Sequence, residues 1–149
     1  MIRLIFVLAA LAIGVFAYFF DGNETEHEVI FTASAPMPIG PYSQGIKVGN
    51  TLYVSGQIGM DINGKLDSAS IQAEVMQALK NVEAIVKMAG MEMKHVVKST
   101  LYVKYLSHFV NINEVYGLYF PIDPPARETV QIGALPKNAH FEISVVAIK

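Results

Sequence analysis

From Ile71 to Ala89 the apolar residues Ile71, Val75, Leu79, Val82, Val86 and Ala89 recur at helical spacing. Gln72, Gln77, Lys80, Glu83 and Lys87 fall largely on the other side. This stripe predicts one amphipathic helix, and such a helix must bury its apolar side against another layer. Ser70 stands where an N-cap belongs and Gly90 where a helix stops. Whatever else the chain forms has to provide the surface on which this helix lies.

The segments on either side have the pattern of a sheet. EVIFTA (28–33) reads as a short strand, and SAPMPIGPYSQG (34–45) as a loop too rich in Pro and Gly for regular structure. IKVGNTLYVSGQ (46–57) reads as a hairpin turning at Gly49-Asn50, and DINGKL (61–66) as a second turn centred on Asn63-Gly64. After the helix come a strand over 95–106, a second amphipathic helix over 107–120 that Pro121 helps to end, a strand from Arg127, and a last strand over 140–148. The order β-β-β-α-β-α-β-β predicts an α+β fold, a mixed β-sheet with both helices on one face. In the last strand Phe141, Ile143, Val145 and Ala147 suit the core, yet the opposite face ends in Val146 and Ile148. A face turned only to water is not so apolar, so the second side of the sheet is expected to meet another subunit.

One stretch, FPIDPPARETVQIGALP (120–136), places a lone arginine after two prolines and at the mouth of a strand. Pro124 and Pro125 forbid a helix there. In the alternating run that follows, Arg127, Thr129 and Gln131 share one face and Glu128, Val130 and Ile132 the other. A rigid approach holds the guanidinium in one pose, as the grip on a carboxylate or phosphate requires. An arginine in an ordinary surface ion pair fits the stretch equally.

The bulk composition mainly excludes. A net charge of −2 leaves no basic footprint for nucleic acid. The absence of cysteine removes disulfides, thiolate metal sites and cysteine nucleophiles, and the four histidines, His27, His95, His108 and His140, show no metal-ligand spacing. Neither a metal nor a cofactor is expected. The first twenty residues are a different material: only Arg3 is charged, and Leu4 to Phe20 run apolar or aromatic. As a helix this run spans about 25 Å, the short end of what crosses a bilayer. It reads as a signal peptide, with Val15-Phe16-Ala17 as a tolerable cleavage site, or as an uncleaved membrane anchor. Either places the rest of the chain outside the cytoplasm, periplasmic, secreted or membrane-anchored through residues 4–20. The expected organisation is therefore a leader over 1–20, a polar linker over 21–28 and one domain over 29–149.

Six segments taken together resemble the RidA (YjgF) family of reactive intermediate deaminases. They are APMPIGPYSQGI (35–46), LYVSGQIG (52–59), QAEVMQALKNVEAIVKMAG (72–90), VNINEVYGLYF (110–120), PARETV (125–130) and LPKNAHFEISVVA (135–147), in the family's order. The hydrophobic leader lies outside the family pattern. The resemblance implies a homotrimer of chorismate-mutase-like subunits with three clefts between neighbours. In the family these clefts hydrolyse 2-imino acids and their enamine tautomers, such as 2-iminopropanoate and 2-iminobutanoate, to the 2-keto acid and ammonia. It also implies a carboxylate grip at Arg127, a cleft wall and hydrogen bond to the imine or the water at Tyr42, a carboxylate at Glu142 that positions or deprotonates the attacking water, and substrate contacts at Gly56, Asn113 and Thr129. Thr129 stands two residues after the arginine, where the family often has cysteine, and the segment between Phe120 and Arg127 is shorter than in many relatives. The expected partners are thus a small 2-imino acid or other carboxylate, further copies of the chain, and a membrane if the leader stays on. The alternatives to a deaminase are a non-catalytic carboxylate- or protein-binding module, an endoribonuclease or translation inhibitor, and a chaperone-like surface protein.

Overall fold

Local signals and packing agree in the long helix first. In the computed structural model, which describes residues 26–149, helix α1 runs Ile71–Met88. The Ser70 side chain accepts from Ala73 N at 3.1 Å, as an N-cap does. At the other end Gly90 takes φ 73°. Its N–H reaches Lys87 O while Met91 N reaches Val86 O at 3.1 Å, the paired closure of a Schellman motif. The expected leader over 1–20, and the linker as far as residue 25, lie outside the described residues. Among the described residues no helix is long and apolar enough to cross a membrane.

The other elements follow the expected order. They are β1 His27–Ile30, β2 Gly45–Val48, β3 Thr51–Ile58, β4 Val96–Val103, helix α2 Phe109–Tyr119, β5 Ala126–Gln131 and β6 Phe141–Ile148. β1 and β4 each stop three residues short of the sequence reading, whereas β1, β2 and β5 start one residue earlier and β3 runs one residue longer. A short 3-10 turn, Leu106–His108, precedes α2. The β2–β3 turn has positive φ only at Gly49, the first central residue, which is the II′ pattern that suits a two-residue hairpin.

One six-stranded sheet is ordered β1-β2-β3-β6-β4-β5. Every neighbouring pair is antiparallel except β4 and β5, which are parallel and joined through α2. The register puts Leu101 opposite Ile143 and Val103 opposite Phe141, all four buried. With Leu52, Val54 and Val145 they form the face on which α1 lays Val75, Leu79, Val82 and Val86, each fully buried. At about 25 cal/mol per Å² of apolar area, this interlayer packing is the main stabilising contribution. The fold is the expected α+β arrangement, with both helices on one face of the sheet. The other face carries exposed Val29, Tyr53, Val130 and Ile148. Helix α2 is less one-sided than its sequence suggested. Ile112, Val115 and Tyr116 are buried, but Val110 and Leu118 face outward.

Candidate functional site

Three of the six residues singled out by sequence, Tyr42, Gly56 and Glu142, line one cavity of about 290 Å³ walled by Met37, Ile39 and Met60. They come from a loop, from β3 and from β6, and each is held by a buried polar side chain. The loop is pinned by Gln44, only 2% exposed. Its Oε1 accepts from Thr32 N at 2.7 Å, and its Nε2 lies 3.1, 3.3 and 2.9 Å from the carbonyls of Thr32, Ala35 and Pro36. Tyr42 is half exposed, and its hydroxyl accepts from Ile39 N at 3.2 Å. Its own hydrogen is therefore left to donate into the cavity.

Gly56 sits where the register of β3 and β6 shifts, between Val54 and Gln57. A Cβ at residue 56 would overlap the Glu142 carboxylate, so only glycine lets that carboxylate lie across the strand. Glu142 also borders a second, shallower hollow beside Tyr102 and Ser144. Burial pushes its carboxyl above the ordinary glutamate value.

Two buried polar residues of α1 support this arrangement, and the sequence reading missed both. Glu74 accepts from His140 N at 2.6 Å and from Phe141 N at 3.0 Å, with His140 Nδ1 at 3.1 Å. It thereby fixes the start of β6 immediately ahead of Glu142. Asn81 donates to Ile58 O at 3.2 Å and Met60 O at 2.8 Å, and so fixes the end of β3. The signal was present: Ile71, Glu74, Ala78, Asn81 and Ile85 share one helical stripe, so these polar residues stand at core positions.

The other three residues lie elsewhere in the subunit. Arg127 pairs in register with Ser99, which pairs with Val145 on the helix-covered face. Glu142, one of the alternating residues of β6, faces the opposite side. Within one subunit the arginine and the glutamate therefore lie on opposite faces of the sheet and cannot share a ligand. The Arg127 guanidinium lies 4.8 Å from the ring centre of Tyr116 and 5.6 Å from that of Phe109, within cation–π range. Tyr116 is anchored beneath it by a 2.7 Å hydrogen bond with Ser99 Oγ. Burial raises the Tyr116 hydroxyl above its ordinary value, although Ser99 and Arg127 act the other way.

Among the described residues Arg127 has no carboxylate within ion-pair distance. The adjacent acid Glu128 turns to the other face and pairs with Lys98 at 3.1 Å. Asn113 shares the α2 stripe of Phe109 and Tyr116, and its Oδ1 is buried without a hydrogen-bond partner. Thr129 lies on the same face of β5 as Arg127, opposite Leu101. The subunit thus presents, on opposite faces of one sheet, a guanidinium on an aromatic platform and a carboxyl in a cavity with apolar walls. Among the described residues no cluster of His, Asp or Glu is arranged to hold a metal.

Comparison with known proteins gives a consistent assignment. The sequence model of the endoribonuclease L-PSP family matches residues 32–149. The human 2-iminobutanoate/2-iminopropanoate deaminase is 48% identical over 122 residues, covering 81% of this chain and 89% of that protein. The crystal structure of RidA from an Antarctic Psychrobacter superposes with a TM-score of 0.80 at 38% identity, over 82% of this chain and 99% of that one. Escherichia coli TdcF, solved with bound serine, gives a TM-score of 0.79 at 36% identity, over 82% of this chain and 98% of that one.

Proposed function

Because this chain belongs to the endoribonuclease L-PSP family, which is the RidA/YjgF family its motifs resemble, we propose that it hydrolyses 2-imino acids to 2-keto acids and ammonia. The observation that carries the proposal is the Arg127 guanidinium, laid on Tyr116 and Phe109 and left without a carboxylate partner among the described residues. A planar fork held in this way suits bidentate binding of a small carboxylate. Named relatives support the class: one is a 2-iminobutanoate/2-iminopropanoate deaminase and another holds the amino acid serine.

Since Arg127 and Glu142 face opposite sides of the sheet, a working cleft takes one half-site from each of two neighbouring subunits. A homotrimer closed over the exposed apolar sheet face would bring them together and would cover Val29, Tyr53, Val130 and Ile148. In that cleft Arg127 orients the substrate carboxylate while Tyr42 donates to the imine nitrogen or to the attacking water. On the protonated imine, Glu142 takes a proton from water as the water oxygen bonds to C2 and the C=N π pair moves to nitrogen, leaving a neutral carbinolamine. Glu142 returns that proton to nitrogen. The C–N pair then leaves on ammonia as an oxygen lone pair forms the keto C=O, and the hydroxyl proton passes back to the Glu142 carboxylate. General acid–base help of this kind contributes about 10²–10⁴-fold. The substrate is already reactive, so positioning provides much of the remaining gain.

The family description also raises an endoribonuclease reading, but a net charge of −2 offers no basic track for a phosphate backbone. The deciding experiment generates 2-iminobutanoate in situ from threonine with a dehydratase and follows its loss with the full chain. Faster loss with the native chain than with Arg127→Ala or no enzyme is the expected result. Equal rates in all three would leave a carboxylate-binding module.

A further inference from the structure

What sets one end of the domain apart is that the chain enters β1 there, since the opposite end also exposes apolar side chains, Met37, Ile62 and Val110 among them. Here β1 begins, β6 finishes and both helices terminate. Contacts tie these pieces together. Lys149 N donates to Asn50 O at 3.0 Å, Lys149 Nζ to Gly90 O at 2.7 Å, and Lys47 Nζ reaches Ala89 O at 3.5 Å while lying 4.0 Å from Glu28. Ile122 borders a hollow here with Met93, Lys94 and Pro121. Three large apolar side chains stand out from this end. Ile122 is 80% exposed, Leu118 in the last turn of α2 is 69%, and Met88 in the last turn of α1 is 58%. Asp123, with φ 48°, turns the chain immediately after Ile122. The cavity of Tyr42 and Glu142 lies at the other end, beside the Pro36–Tyr42 loop and the start of β6.

We propose that Ile122, Leu118 and Met88 rest in the interfacial layer of a lipid bilayer, so that the Tyr42–Glu142 cavity opens away from the membrane. The partner follows from the chain outside the described residues. Residues 4–20 carry no charge, and they join the domain at this end through a linker, Asp21–Glu26, that reaches about 20 Å at most when extended. With the apolar run in a bilayer, this end of the domain cannot stand off by more than that distance. A tether this short makes the side-chain contact effectively intramolecular, so a few exposed apolar groups suffice.

Electrostatic attraction is not the driving term. Lys87 is paired with Glu83 at 2.6 Å, Lys94 with Glu92 at 2.9 Å, and Lys47 lies 4.0 Å from Glu28, so of the four lysines named at this end Lys149 alone, bonded to the Gly90 carbonyl, lacks a carboxylate partner for its charge. The contact is therefore expected on zwitterionic lipid. The proposal does not depend on the deaminase reading and has its own readout.

The chain contains no tryptophan, so a single introduced indole reports its surroundings without background. Full-length Ile122→Trp, Leu118→Trp and Asn63→Trp, the last at the far end, are reconstituted in phosphatidylcholine vesicles with and without brominated acyl chains. The expected result is blue-shifted emission quenched by bromine at residues 122 and 118, and solvent-like, unquenched emission at residue 63. Using two sites at the contact end guards against one variant that does not fold. Four outcomes overturn the proposal. They are a chain that stays in the supernatant, solvent-like emission at both 122 and 118, blue-shifted emission there that bromine does not quench, and equal quenching at residue 63. Unquenched blue emission would mean that residues 4–20 or a second copy cover the patch instead.

Discussion

Gly56 passes directly beneath the Glu142 carboxylate, so closely that a methyl group at residue 56 would overlap it. The glycine follows Val54 where the register between β3 and β6 shifts, and that irregularity lets the carboxylate lie across the strand. Gly56→Ala should displace Glu142 and reduce kcat at least about tenfold, in the range general acid–base loss allows. Circular dichroism and melting should show a folded protein. Native kcat in this variant would remove Glu142 from the reaction.

Arg127 is predicted to act through geometry as well as charge. Arg127→Lys keeps the charge but loses the planar fork and the stacking on Tyr116 and Phe109. Loss of one charge-assisted hydrogen bond costs about 1.5–3 kcal/mol, so kcat/KM should fall about 10- to 150-fold. Arg127→Ala should fall further, with the oligomer unchanged by sedimentation. Dissociation on Arg127→Ala would mark the residue as an interface strut.

Glu142 gives a pH signature. Burial raises its folded-state pKa above the unfolded value, so the folded protein holds this proton more tightly. The stabilising contribution of the protonated form is complete below the unfolded pKa and is lost as pH rises through the raised folded pKa. Glu142→Gln should therefore raise the melting temperature at neutral pH, with the difference shrinking as pH falls toward the glutamate range. Activity, which needs the ionised base, should rise with pH along a limb lying above that of a free glutamate. A limb at the ordinary glutamate value would place the essential group elsewhere.

Glu74 should matter for stability before chemistry. Glu74→Ala leaves the N–H groups of His140 and Phe141 without their acceptor at the start of β6. Each orphaned buried donor costs about 1–3 kcal/mol. A clear drop in melting temperature is expected, larger than for Glu83→Ala, which breaks only an exposed ion pair with Lys87. Equal melting of the two variants would show that water replaces the carboxylate.

The uncovered sheet face is expected to be the subunit contact. Tyr53 and Val146 are cross-strand neighbours on it. Tyr53→Lys with Val146→Glu would bury charges in that contact, and the assembly should dissociate in analytical ultracentrifugation and lose activity with it. A trimer that survives both substitutions would place the contact elsewhere.

Much of the fold is written locally. Ser70 and Gly90 bound a helix because capping and positive φ are properties of a few adjacent residues. Gly49-Asn50 makes a hairpin for the same reason, and the alternation in β6 separates Phe141 from Glu142 by the two-residue period of a strand. Arg127, Tyr42, Gly56 and Glu142 could be named because their neighbours in the chain carry family motifs. Gln44, Glu74 and Asn81 were harder to see, because a polar residue looks solvent-facing until its buried backbone partners are known.

What the sequence by itself determined was the set of elements, their order and the two-layer requirement of an amphipathic helix beside alternating strands. Only the tertiary structure decided that Tyr42, Gly56 and Glu142 meet while Arg127 turns to the other side of the same sheet. The physical reason is register. Strand alternation fixes which residues of β5 share a face, but which face the helices cover depends on the parallel pairing of Arg127 with Ser99 and the antiparallel pairing of Ser99 with Val145. Those contacts join residues 28 and 46 positions apart, and no local preference encodes them.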